Sequence, residues 1–250
     1  MKTFLRNIIG AAAVVASVPA AAVPVLDLTI AGSSGFVNGA YFQTVNAQST
    51  GTGVINSFVR ISTNDDVSEG YNTSARPLSY DENSSPTFTK DLLLSAVPIV
   101  VINGITYREF LLDINQAGND PLLSLNKIQI FVQGSGGLSG PIPPGGVFTN
   151  KVFDLDAGVE GDARIELNYN LNAGSGSGDM LAYIPNSFFV GGTHVYLYSQ
   201  FGVPNNNNAG FEEWAVRQGT TPPIPEPSTY ALMLAGLAAV GFMARRRRNS

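Results

Sequence analysis

The sequence predicts an all-β protein, a single β-sandwich of jelly-roll type with a closed barrel as the competing arrangement. Three observations predict it. Short apolar runs rich in Val, Ile, Tyr and Phe recur through the chain, each closed by Gly, Asn or Pro, as strands are. No segment between residues 23 and 219 sustains the 3.6-residue apolar stripe of a surface helix. Charged residues make up only 13% of the chain against 27 glycines, and 19 asparagines lie between Asn38 and Asn208, so amides and hydroxyls rather than charges must wet the surface.

The elements follow in order. Residues 1–22 open with Lys2 and Arg6, continue through an apolar run over 8–18 and end in Ala20-Ala21-Ala22, the three regions of a secretory signal peptide. The body then spans 23–219, one ordinary domain in length. Its strand candidates are 25–30, 40–45, 54–61, 92–102, 105–114, 123–133, 147–155, 164–171, 180–184, 194–201 and 212–217. The sharpest local signal is Asn103-Gly104, which tolerates positive φ at both positions and predicts a two-residue hairpin pairing 99–102 with 105–108. Long loops stand at 62–85, 134–146, 173–178 and 204–210, and any function borne on loops belongs there.

Residues 220–229 are a proline-rich linker containing Pro225-Glu226-Pro227, and 230–244 are largely apolar without a charge. Arg245, Arg246, Arg247 and Arg248 follow, within the terminal segment 245–250. As a helix, the apolar run reaches only about 22 Å, short of a hydrocarbon core of about 30 Å, so it spans marginally, as a temporary anchor. The arginines belong on the cytoplasmic side, which places the body outside the inner membrane. An ordinary membrane anchor that is never removed is the competing reading of these residues.

These C-terminal residues resemble the PEP-CTERM sorting signal of Gram-negative exopolysaccharide producers, a tail also catalogued as an ice-binding protein C-terminal domain. The likeness covers about 28 residues: the Pro225-Glu226-Pro227 motif, the short apolar helix and the Arg245 to Arg248 cluster, in that order. It implies recognition of Pro225, Glu226 and Pro227 by an exosortase-type membrane enzyme, with the arginines as the cytoplasmic anchor. It also implies delivery to the cell surface or matrix. Three blocks of the body, 109–115, 123–131 and 174–180, more loosely resemble domains often fused to such tails; no activity is implied by them.

Between the leader and the tail, eight basic side chains face eighteen acidic ones, a net charge of −10, which excludes a phosphate backbone as partner. Zero cysteines exclude disulfides and thiolate metal sites, and the single His194 excludes multi-histidine centres. Neither a Gly-x-Ser-x-Gly elbow nor a glycine-rich phosphate loop occurs. Glu212 and Glu213 are adjacent, so on a strand they point to opposite faces and cannot attack one glycosidic bond together.

Two clusters offer hard oxygen ligands of the kind a structural calcium takes: Asp113, Asn115 and Asp120, and Asp154, Asp156 and Asp162. Asx-turn chemistry explains the same residues without a metal. Aromatic residues crowd the last third, where Tyr196, Tyr198 and Trp214 are candidates for stacking on sugar rings or for filling the core. The function expected is a non-catalytic structural or adhesive component of an exopolysaccharide matrix, exported through a transient inner-membrane stage. A carbohydrate-binding module is the alternative, and a secreted glycoside hydrolase is third.

Overall fold

The computed structural model describes residues 23–45, 55–142, 146–158, 161–174 and 176–217. Among them strands dominate, helical structure is limited to three single 3-10 turns, and no helix is long and apolar enough to cross a membrane. The leader, the Pro-rich linker, the apolar run 230–244 and the arginine cluster lie outside the described residues.

Two sheets form the sandwich. The first has the order β1 (Val25–Asp27), β11 (Arg164–Asn168), β9 (Leu122–Gln133), β13 (His194–Phe201) and β5 (Ser68–Tyr71). Beside this path β10 (Lys151–Asp154) pairs with β9, and β6 (Leu92–Leu93) with β13. The second sheet runs β2 (Ser34–Val37), β3 (Ala40–Thr44), β12 (Met180–Pro185), β8 (Ile105–Asp113), β14 (Glu212–Arg217) and β4 (Ile55–Ile61), with β7 (Ile99–Ile102) on β8. All pairings are antiparallel except β1 with β11. The all-β expectation is met.

The predicted hairpin is present: Ile99 stands opposite Arg108 and Ile102 opposite Ile105, while Asn103 (φ 50°) and Gly104 (φ 81°) both take positive φ. A second hairpin of the same kind joins β2 to β3 through Asn38 (φ 49°) and Gly39 (φ 82°), where the strand candidates began only at residue 40. The candidate over 92–102 is two short strands interrupted by a 3-10 turn at Leu94–Ala96. The long loop expected over 62–85 contains β5. The rest of that loop and its continuation lie along the outer edge of β4, where Ser62, Asn83 and Lys90 donate their N–H groups to Asp81 O, Arg60 O and Phe58 O. An otherwise open edge is thereby covered.

The main core lies between the sheets. Phe42, Phe58, Phe110 and Trp214 from the second sheet meet Ile128, Ile130, Ile165 and Leu197 from the first. The Trp214 indole N–H donates to Ser199 Oγ at 3.0 Å and so links the two sheets through the core. Smaller apolar clusters back each sheet on its outer side, one around Tyr71, Phe131, Phe148, Tyr196 and Tyr198, the other around Tyr107, Leu111, Leu181 and Tyr183.

Candidate functional site

Alternation along β13 directs Val195 and Leu197 into the sandwich and Tyr196 and Tyr198 to the outer face of the first sheet. That outer face is not open. Tyr80, Leu138 and Ile142 pack over the tyrosines, and the phenol groups tie loop to sheet. Tyr196 donates to Ser135 O at 3.1 Å and accepts from Leu138 N–H at 3.2 Å, while Tyr71 bonds both the N–H and the carbonyl of Gly140. Tyr198 donates to a Glu69 carboxylate oxygen, and burial followed by that carboxylate raises its phenol pKa. Tyr196 and Trp214 are fully buried and Tyr198 is 5% exposed, so the three proposed sugar-stacking rings are core residues. The cause is tertiary: Trp214 points between the sheets, while the 134–142 loop folds over Tyr196 and Tyr80 packs on Tyr198, on a face that the sequence leaves open.

The first predicted calcium cluster is also dispersed. Asp113 is fully buried, and its two oxygens accept backbone N–H groups of Gly176 (2.7 Å) and Gly178 (3.0 Å). Gly176 and Gly178 are thus held against a carboxylate. Desolvation raises the Asp113 pKa against these bonds. Asn115 donates instead to Phe211 O, and Asp120 is an exposed turn residue whose carbonyl accepts from Asn208. These three residues do not share a ligand position, because Asp113 lies on the outer face of the second sheet opposite Glu213, covered by Gly176 and Gly178, while the turn beyond it is exposed.

Asp154, Asp156 and Asp162 do gather at the turn after β10. Asp154 accepts from Lys151 Nζ at 2.5 Å and from Gln129 Nε2 at 3.0 Å. Burial, then the charges of Asp154 and Asp162, push Asp156 up to about 6. Lys151 at Asp154 and Lys127 near Asp156 already offset part of the repulsion that a cation would relieve. Among the described residues no group of three or more His, Cys, Asp or Glu side chains is arranged to hold a metal ion.

The adjacent glutamates face opposite ways, as strand geometry requires. Glu212 lies inside, accepting from Ser68 Oγ (3.2 Å) and Gln116 Nε2 (3.3 Å), and burial pushes its pKa to about 8. Glu213 lies on the other face, ion-paired at 2.7 Å with Arg60, whose guanidinium is stacked between the rings of Phe88 and Phe211. His194 Nδ1 shares a hydrogen bond with its neighbour Thr193 Oγ1 at 3.0 Å.

What the strand reading missed is a cleft of about 410 Å3 at the edge of the sandwich where β1 and β2 approach each other. Pro24, Val25, Phe36 and Val37 make it apolar, and Asn38 and Gly158 close one end. Asn38 donates to Leu155 O at 2.5 Å and to Asp154 O at 3.2 Å, which fixes the turn of the hairpin against the acidic turn. A Cβ at Gly158 would sit 2.7 Å from Asn38 Oδ1, so any larger residue there must displace the Asn38 side chain from these bonds. Phe36 is 68% exposed and packs tilted against Tyr41 at a centroid distance of 4.9 Å, and the Tyr41 ring in turn stacks on Tyr183 at 5.8 Å. The Asn38-Gly39 dipeptide was the available signal: it carries the same turn chemistry as Asn103-Gly104 and places Phe36 and Tyr41 opposite each other.

Fold and surface together define a cysteine-free, strongly acidic β-sandwich with an apolar cleft at its edge, in which Asp113, Asp154, Glu212 and Glu213 are bonded within the fold. The family comparison supplies the rest. The model of the PEP-CTERM protein-sorting motif matches residues 223–248. The chain therefore carries this motif, which implies an exported protein that an exosortase processes and that is sorted to the cell surface. No curated protein and no solved structure matches the chain.

Proposed function

We propose that this protein is a non-catalytic structural or adhesive component of a surface exopolysaccharide matrix. In this reading it is made as a precursor held at the inner membrane by residues 230–244 and freed by cleavage near Pro225-Glu226-Pro227. The observation that carries the reading is the sorting motif over residues 223–248, attached to an acidic all-β body. The acidic pairs that a hydrolase would need support it from the other side, since Glu212 and Glu213 are turned apart and each is bonded within the fold.

Intact mass of the protein recovered from membrane, periplasmic and external fractions of the native host tests the proposal. The expected species outside the cell lacks residues 1–22 and everything beyond the Pro225 region. Full-length tail retained in the inner membrane would make the protein a fixed periplasmic domain and end the matrix reading.

A second reading, carbohydrate binding, is favoured by one feature, the exposed Phe36 ring at the mouth of the cleft. A ring with one free face is what stacking on a pyranose requires. Phe36→Ala is then expected to lower retention on the host's own polysaccharide at least tenfold with little change in stability, the side chain being mostly solvated. Unaltered retention would remove the cleft from consideration.

A further inference from the structure

The end of the sandwich from which the tail departs is also the end poorest in charge, its ionised groups being the mutually paired Arg217 and Glu109 and the internally bonded Arg108. β14 runs antiparallel to β8 with Glu213 opposite Asp113 and Ala215 opposite Leu111, and Arg217, its last residue, is ion-paired with Glu109. The chain thus leaves the second sheet heading toward the β7–β8 hairpin. That hairpin continues four residues beyond Glu109 to Ile105 before turning at Asn103-Gly104, about 14 Å at about 3.4 Å per residue.

Around the hairpin the composition is unusual for so acidic a body. Residues 92–107 and 185–193 contain no Asp, Glu, Lys or Arg. Hydrogen bonds join both stretches at one pole: Arg108 donates to Leu94 O, Val97 O and Asn186 Oδ1, and Leu94 N–H donates to Thr193 O. Leu93, Ile99, Val101, Ile105 and Val190 are each at least half exposed there. Acids collect at the other end of β8 and β14 and its loops, where Asp65, Asp66, Asp113, Asp120, Glu212 and Glu213 lie.

We propose that the β7–β8 hairpin tip is a lipid-contacting element that seats the precursor on the outer leaflet of the inner membrane while the tail is anchored. The inference rests on the membrane-anchored precursor proposed above. Twelve residues, 218–229, separate Arg217 from the apolar run at Tyr230, so the body can stand no further than about 40 Å from the bilayer and the tip lies within reach of it. An acidic body approaching a bilayer with anionic headgroups is repelled unless it presents an uncharged surface, and this pole is that surface. Pairing satisfies the backbone groups that the two strands of the hairpin turn toward each other, and the outward-facing groups of β7 keep the tip at the headgroup boundary, where water is at hand.

A few exposed aliphatic side chains bind a bilayer weakly by themselves. Tethering makes the contact intramolecular and raises its effective concentration, so the tip engages in the precursor and lets go once the tail is cut. The tip thereby holds the body in one orientation, with the linker beside it, for as long as processing is pending.

The absence of cysteine gives a clean test in the full-length chain. Single variants Val101→Cys, Ile105→Cys and Asn119→Cys carry an environment-sensitive fluorophore, the last as a control beyond the far end of β8. Each is reconstituted into vesicles of phosphatidylethanolamine and phosphatidylglycerol, and flotation is measured alongside emission. The expected result is flotation of all three, with blue-shifted emission quenched by doxyl-labelled lipid at 101 and 105 and water-like emission at 119. Flotation with water-like emission at 101 and 105 overturns the inference and leaves the anchor intact. Failure to float overturns the anchored precursor and this inference with it. A blue shift at 101 that doxyl lipid does not quench means that a second copy or another protein covers the tip, and also overturns it.

Discussion

Replacing Trp214 with alanine is expected to lower the free energy of unfolding by about 3–5 kcal/mol, read as the shift in denaturant midpoint by circular dichroism. This is the only tryptophan in the chain, and it is fully buried between the two sheets beside Phe58, Phe110 and Leu197 in a single continuous core. Truncation would leave a large apolar cavity and would strand the hydroxyl of Ser199, a fully buried residue whose bond to the indole N–H crosses the sandwich. A typical domain has only about 5–15 kcal/mol in total, so most of the body's stability would go. Trp214→Phe keeps part of the volume and is expected to cost less than half as much. A loss under about 1 kcal/mol for the alanine variant would mean that the ring is not in the core.

Glu212→Gln is expected to act in the opposite direction and only at the alkaline side. Glu212 is fully buried, and its carboxyl is pushed by desolvation from 4.5 to about 8, so it is neutral in the folded chain at pH 7 and ionised in the unfolded one. The folded state therefore binds the extra proton, and stability falls as pH rises from about 4.5 to about 8. The wild-type loss attributable to this residue is on the order of 4–5 kcal/mol across that window. Glutamine keeps an acceptor for Gln116 Nε2 and offers a donor to Ser68 Oγ, so the variant should match the wild type near pH 4 and exceed it by several kcal/mol at pH 8. Parallel stability profiles of the two proteins from pH 4 to 9 would show that Glu212 does not carry the slope. Asp179 adds to the same trend, since its buried carboxyl is also raised well above the ordinary range by desolvation, with the Asp113 charge adding to it.

Much of this molecule was legible residue by residue. Asn103-Gly104 specifies its hairpin because the φ angles of the turn are a property of two residues, and the opposite facing of Glu212 and Glu213 follows from strand alternation alone. The Asn38-Gly39 turn carried an equal signal, and reading it would have added β2 and the cleft-lining Phe36. Other features had no local signal. β5 lies in a polar stretch, Ser68-Glu69-Gly70-Tyr71, and exists because β13 pairs with it, with Gly70 leaving room for the Glu82 side chain.

The sequence by itself determined the class of fold, the turn at the hairpin tip and the sorting motif at the C-terminus, because strand periodicity, positive-φ turns and a contiguous signal are all encoded within a few neighbouring residues. Tertiary structure alone decided which face of each strand is covered, and with it the role of nearly every candidate side chain. Tyr196 became a loop-holding core residue because a segment about 60 positions earlier folds over it, and Tyr198 because Glu69 and Tyr80, more than 100 positions earlier, meet it. Asp113 became the centre of a glycine loop more than 60 positions away. Burial and hydrogen-bond partnership depend on contacts across such separations, and alternation along a strand tells only that two faces differ, not which of them meets water.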